Sequence, residues 1–138
     1  MSQDRTADLL SALKNAYVAG QREVRLPLSK FNLAIVKILI KENYLNNVKK
    51  QKSRTGGGKE MVIILNKLRQ TKGEKNCQII RNIKRISKSS ARIYVSSRDL
   101  DEYNRRLGLA IISTSKGLMT TKQAKKENAG GELICCVW

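Results

Sequence analysis

The sequence predicts an α+β protein built from two small halves, and three observations point there. Apolar residues recur at helical spacing over 4–19 and again after Ser29. Short apolar or alternating runs suited to strands fill most of the rest, densest toward the C-terminus. A polar stretch, "Gln70-Thr71-Lys72-Gly73-Glu74-Lys75-Asn76", interrupts both patterns and is the best candidate boundary. The 138 residues permit one domain or two, and 41% hydrophobic content permits a core. With 4% aromatic residues, that core must be mostly Leu, Ile, Val and Ala.

The elements follow in order. Over 4–19, Leu9, Leu10, Leu13, Ala16 and Tyr17 share one helical face; Asp4 or Thr6 caps the start and Gly20 suits the stop. Residues 23–27 alternate like a short strand, and Pro27 places it at an edge or an end. Ser29 is a good N-cap for a second helix. Leu33, Ile35, Val36, Ile38, Leu39 and Ile40 make that helix apolar around most of its circumference, so it should be sandwiched. Asn43 suits a left-handed terminator. Strands are expected at 44–50 and 61–68, joined by a basic, glycine-rich hairpin loop over 52–59.

The second half reads as β-rich, with strands at 77–86, 92–95, 107–113 and 132–137. Asp99, Asp101 and Glu102 fall in a turn or short helix. One helix stands out, opened by the capping box "Thr120-Thr121-Lys122-Gln123" and closed between Asn128 and Gly131. "Lys122-Gln123-Ala124-Lys125-Lys126" reads as its outer face. The resulting layout is an N-terminal α/β sandwich-like domain over 1–70 (helix-strand-helix-strand-strand), a linker at 71–76, and a β-rich domain with one helix over 77–138.

Charge narrows the function. The chain carries 28 Lys+Arg against 11 Asp+Glu, a net charge of +17. A small domain with such an excess repels itself unless a polyanion neutralises it, and nucleic acid is the commonest polyanion partner of a folded basic domain. A membrane surface is the second option, but the cations are spread from Lys14 to Lys126 rather than along one amphipathic helix. No apolar run is long enough to span a bilayer, and Asp4, Arg5 and Asp8 stand where a signal peptide would be apolar.

Absences exclude other classes. With 0 His, the usual general base and His-containing zinc sites are gone. Cys77, Cys135 and Cys136 form no C-x-x-C pair and read as small apolar fillers in a reducing compartment. The carboxylates form no convincing acid–base pair. No catalytic, metal or cofactor site is expected.

One stretch carries chemistry of another kind. In "Leu109-Ala-Ile-Ile-Ser-Thr-Ser-Lys-Gly117" an apolar run stops at three hydroxyls, a lysine and a glycine. A phosphate-binding loop would need G-x-x-x-x-G-K-[ST], and neither this segment nor Gly58-Lys59-Glu60 has that spacing. A Ser–Lys dyad would need a buried lysine, and the surrounding basic loop argues for solvent. Contact with nucleic acid fits better. The hydroxyls of Ser113, Thr114 and Ser115 can meet base edges, 2′-hydroxyls and phosphates; Lys116 adds charge, and Gly117 lets the backbone approach closely. The alternative is an ordinary polar loop before a capped helix. Lys84, Arg85 and Lys88, with Arg81, interleave cations with isoleucines, against the alternative of a solvated face. Arg92 precedes Tyr94 by two residues, and Tyr94 could stack on an unpaired base or be a half-buried strand aromatic.

Together these segments resemble the eighth small-subunit ribosomal protein family, of bacterial and organellar type. The resemblance lies in "Gly108-Leu-Ala-Ile-Ile-Ser-Thr-Ser-Lys-Gly-Leu-Met-Thr120" and "Gly130-Gly-Glu-Leu-Ile-Cys135". "Arg92-Ile-Tyr94" after "Arg85-Ile-Ser87" adds to it, as does "Leu26-Pro-Leu-Ser-Lys30". It implies a two-domain α+β ribosomal constituent that is a primary binder of small-subunit rRNA. The target would be an irregular helix in the central domain of 16S-type rRNA, with a share in subunit assembly. It implies that the C-terminal domain grips RNA through Ser113, Thr114, Ser115 and Lys116, with Tyr94 and Glu132 contributing, and that Lys30 adds a backbone contact. Implied partners are small-subunit rRNA, neighbouring small-subunit ribosomal proteins and the chain's own operon mRNA. The implied location is the small subunit in cytoplasm, or in matrix or stroma for an organellar member. The second functional reading is a free-standing RNA-binding regulator or RNA chaperone.

Several positions depart from the family's habit. Ser89-Ser90 stands where Pro-Gly is frequent, Ala12 where a basic residue is usual, Thr121 where an Asp is common, and Cys136 where an aromatic is common. The 52–59 loop is this chain's own.

Overall fold

The computed structural model describes residues 5–54, 56–66, 79–106 and 108–138. It divides into two compact units, Met1–Ile80 and Arg81–Trp138. The expected linker at 71–76 lies outside the described residues.

The first unit runs α1 (Arg5–Val18), β1 (Glu23–Pro27), α2 (Lys30–Lys41), β2 (Leu45–Lys52), β3 (Lys59–Leu65). Helix α1 buries Leu9, Leu10, Leu13, Ala16 and Tyr17, the residues its spacing puts on one face. Ser29 caps α2 by accepting from Asn32 N. Asn32 is itself buried, and its amide joins the two helices: it accepts from Thr6 Oγ1 at 3.2 Å and donates to Arg5 O at 3.1 Å. Both helices stop the same way. Gly20 and Asn43 take positive φ (70° and 67°). Gln21 N then reaches Ala16 O, and Tyr44 N reaches Leu39 O, which satisfies carbonyls the helix leaves open. The three strands pair antiparallel in the order β1-β3-β2. β3 sits in the middle and buries Met61, Val62, Ile63 and Leu65; Pro27, which has no N–H, stands on edge strand β1. A bond from Ser53 N to Gly58 O closes the β2–β3 hairpin.

The second unit runs β4 (Ile83–Arg85), β5 (Tyr94–Val95), a 3-10 turn (Ser97–Asp99), α3 (Leu100–Arg106), β6 (Leu109–Thr114), β7 (Gly117–Thr120), α4 (Thr121–Lys126), β8 (Gly131–Val137). Its sheet is ordered β4-β8-β6-β7, and β5 also pairs with β8. Val95, Leu100, Ala110, Ile112, Ala124, Leu133 and Cys136 form one core, with Ile86, Tyr103 and Met119 packed against it. Thr120 caps α4 by accepting from Gln123 N at 3.1 Å, and Asn128 at φ 53° ends it. Leu133 is fully buried at the centre of this core. Leu133→Ala should therefore cost about 2–5 kcal/mol, read as a lowered urea midpoint of the intact protein.

Three expectations change. Among its described residues the second unit has two α-helices, not one. The turn or short helix expected near Asp99, Asp101 and Glu102 is a 3-10 turn followed by α3, anchored by fully buried Leu100. Within the described part of 77–86, only Ile83–Arg85 is strand. Asn82 and Trp138 exchange backbone hydrogen bonds at 2.8 and 3.0 Å, continuing the pairing one residue before β4, and Arg81 N also donates to Trp138 O, so the segment turns in on that residue. Finally, Ser113 to Gly117 is not a loop leading straight to a helix. It contains a tight reversal, and Gly117–Thr120 returns as a strand beside β6.

Candidate nucleic-acid interface

The β6–β7 hairpin explains why the apolar run stops where it does. Thr114 pairs with Gly117, so Ser115 and Lys116 alone make the turn, and both are exposed. Gly117 takes φ 115°, a conformation that side chains with a Cβ resist, and nothing lies within 4 Å of where its Cβ would be. The Thr114 hydroxyl clasps the turn. It donates to Gly117 O at 3.0 Å and accepts from Lys116 N at 3.1 Å. Thr114 thus shapes the loop, while the Ser115 hydroxyl and the Lys116 ammonium stand at its tip.

Glycines bring β8 against this hairpin. Gly131 pairs with Thr114. A Cβ on Gly131 would run into the Ser113 carbonyl oxygen and lie 2.8 Å from its carbon and 3.1 Å from Thr114 Cα. A Cβ on Gly130 would sit 2.7 Å from Val95 O. Two adjacent glycines therefore let the start of β8 pass between β5 and β6 at backbone contact.

The pairing register then sets a row across the sheet. Tyr94 on β5 faces Glu132 on β8, Glu132 faces Ser113 on β6, and Ser113 faces Leu118 on β7. Directly opposed residues of antiparallel strands project to one face, so these side chains line up together. The neighbouring Leu133 and Ile112 point the other way, into the core. Tyr94 is 72% exposed, which removes the half-buried reading of this aromatic.

Glu132 is the most constrained member of the row. Its Oε2 accepts from Ser87 Oγ at 2.6 Å and from Arg92 Nη1 at 2.9 Å. Ser87 is only 1% exposed, and its hydroxyl also accepts from Ile93 N at 3.1 Å. Arg85 Nε donates to Ser87 O at 2.7 Å. The Ser87 hydrogen bond, with help from Arg92 and Arg85, holds the Glu132 carboxyl below its ordinary value, although partial burial pushes the other way. The stabilising share of this network is thus present above the unfolded-state carboxylate value. It is lost as pH falls through the lower value of the folded state.

The basic residues divide. Arg85 is opposite Cys135 and reaches the Ser87 backbone, so it joins the Glu132 cluster. Lys84 is opposite Cys136, a core residue, and so belongs to the other face of the sheet, at its edge. Lys88 and Ala91 exchange two backbone hydrogen bonds at 3.1 and 3.0 Å, closing a turn over Ser89-Ser90 and leaving Lys88 exposed. Lys30 is exposed in the first turn of α2, in the other unit.

Two contributors escape a sequence reading. Ser87 looks like one more small polar residue in a basic stretch, and its partner Glu132 is 45 residues away. The clearance role of Gly130 and Gly131 had a visible signal, adjacent glycines at a strand start, but not its reason.

The chain is similar to known proteins along nearly its whole length. The family model described as "Ribosomal protein S8" matches residues 4–138. A curated protein of Kosmotoga olearia, named small ribosomal subunit protein uS8, is 40% identical over 140 residues, covering 100% of both chains. One of Thermoanaerobacter sp. with the same name is 38% identical, covering 98% of this chain and 97% of that one. A relative from Cuscuta obtusiflora, small ribosomal subunit protein uS8c, is 34% identical over 100% of both chains.

Proposed function

Because the chain belongs to the ribosomal protein S8 family, and is thereby a structural constituent of the small ribosomal subunit, we propose a specific task for its β5–β8–β6 face. That face binds an irregular helix in the central domain of small-subunit rRNA and so helps the subunit assemble. The family is not an enzyme family.

The observation that carries this reading is the row Tyr94–Glu132–Ser113, ending beside the Ser115–Lys116 turn. Regular A-form RNA hides its base edges in a deep, narrow major groove; an irregular helix splays bases and opens them. Short hydroxyls on a stiff hairpin reach such edges with little loss of side-chain entropy. Exposed Tyr94 offers a stacking platform. Lys116, Lys88 and Arg92 supply affinity through phosphate contact and counterion release, which carries no sequence information. Lys84, on the other face of the sheet, and Lys30, in the first unit, would add backbone contacts outside the row.

The separation of roles is testable. Ser115→Ala should weaken binding to a central-domain rRNA fragment about 5–10-fold and leave random RNA unchanged. Lys88→Ala should weaken both RNAs by the same factor. Equal losses for Ser115→Ala on the two RNAs would remove the specificity assignment. Footprinting on intact small-subunit rRNA supplies the fragment, and protection confined to other domains would overturn the site. Sedimentation of cell extract separates the ribosomal role from a free-standing regulator, because only the former travels with the small subunit.

A further inference from the structure

We propose that Ser87 is a positioning residue of the RNA-binding face, acting through Glu132 to aim Arg92 at the RNA. The inference rests on the functional reading above and assigns a role to a side chain that is itself almost entirely buried.

A carboxylate on an RNA-binding face is a liability, since phosphates repel it. Here both hydrogen bonds from Ser87 and Arg92 converge on one oxygen, Glu132 Oε2. Ser87 reaches it from inside the fold. Arg92 reaches it from outside, with a side chain 51% exposed against 18% for Glu132. The acid is therefore fixed on its inner side and neutralised on its outer side. A partly exposed ion pair alone fixes little, because each long side chain has other rotamers. A buried hydroxyl at 2.6 Å removes that freedom from the Glu132 end. Ser87 in turn cannot rotate away without losing Ile93 N. The chain of contacts runs Ile93 N, Ser87 Oγ, Glu132 Oε2, Arg92 Nη1, and it ends beside Tyr94, which pairs with Glu132 in the register. A guanidinium pinned at Nη1 keeps its planar fork in one orientation, a shape suited to phosphate or to a guanine edge.

The groups facing Glu132 are Arg85, Arg92 and Ser87 from the β4–β5 segment, Tyr94 from β5 and Ser113 from β6. Among these, the Ser87 bond is the largest contribution holding the carboxyl low.

The test is a double-mutant cycle on the full-length protein, with the footprinted rRNA fragment as probe. Ser87→Ala should weaken cognate binding about ten-fold in the native background and less than about two-fold in a Glu132→Gln background. The pH at which cognate binding begins to fall should also rise in Ser87→Ala, because Glu132 then protonates more readily. Thermal melts establish that each variant is folded. Should Ser87→Ala not fold, Ser87→Cys, close in volume and a weaker donor, is expected to show the same two signs. Equal losses in both backgrounds, or no loss, would overturn the proposal and leave Ser87 a purely structural residue. Lys116→Ala run alongside separates the two levels. If it too leaves cognate binding unchanged, the RNA-binding face itself is misassigned; if it weakens binding while the cycle shows no coupling, only the role of Ser87 falls.

Discussion

Gly131→Ala should destabilise the protein by about 3 kcal/mol, a large share of a small domain's stability. The added methyl would meet the Ser113 carbonyl group and Thr114 Cα, which are backbone and cannot rotate aside. Relief requires β8 to separate from β6 where Gly131 pairs with Thr114 and Glu132 with Ser113. The same separation dismantles the row of side chains, so cognate RNA binding should fall with stability. Gly56→Ala is the control, because nothing lies within 4 Å of its Cβ. Urea titration followed by circular dichroism reads the difference. A Gly131→Ala midpoint within error of the parent would show that the strands are not packed as tightly there as the backbone geometry requires.

The second large effect concerns salt. Twenty-eight basic residues against 11 acidic ones leave +17, and an RNA ligand that neutralises this charge must release condensed counterions. A log–log plot of the binding constant against salt should fall with a slope of roughly −4 to −8 if about six to ten phosphates are contacted. Filter binding or fluorescence anisotropy from low to moderate salt measures it. Ser115→Ala should shift the line without changing its slope, whereas Lys116→Ala should reduce the slope by about one unit. A flat response would mean that the charge serves something other than RNA.

These expectations draw on two kinds of information that were unequally visible in the chain. The helix ends were legible because their chemistry is local. Ser29 and Thr120 cap α2 and α4 through bonds to residues three positions on, and Gly20, Asn43 and Asn128 supply the left-handed turn that stops a helix. The exposed cations, the hydroxyl-rich turn and the strand cores of β3, β6 and β8 were legible for similar reasons: composition and short-range alternation suffice. Strand limits were not. The limits of β4 are set by where it meets β8, and β7 forms because β6 is beside it; neither fact is encoded in its own residues. Helix α3 was legible only as a turn or short helix, because Leu100 and Tyr103 are too few apolar positions to mark a period and its anchor is tertiary.

By itself, then, the amino-acid order determined that the protein is α+β, strongly cationic, free of histidine, and equipped with a Ser-Thr-Ser-Lys turn. Only the tertiary structure decided which of those groups act together. Pairing of β5, β8 and β6 put Tyr94, Glu132 and Ser113 in line; it placed Ser87 under a carboxylate 45 residues away and turned Lys84 to the opposite face. The reason is physical. Caps and turns are settled by bonds spanning a few residues, whereas neighbours across a sheet are chosen by register. Register is set by burial of one face and by the few backbone positions, such as Gly131, where two strands can touch.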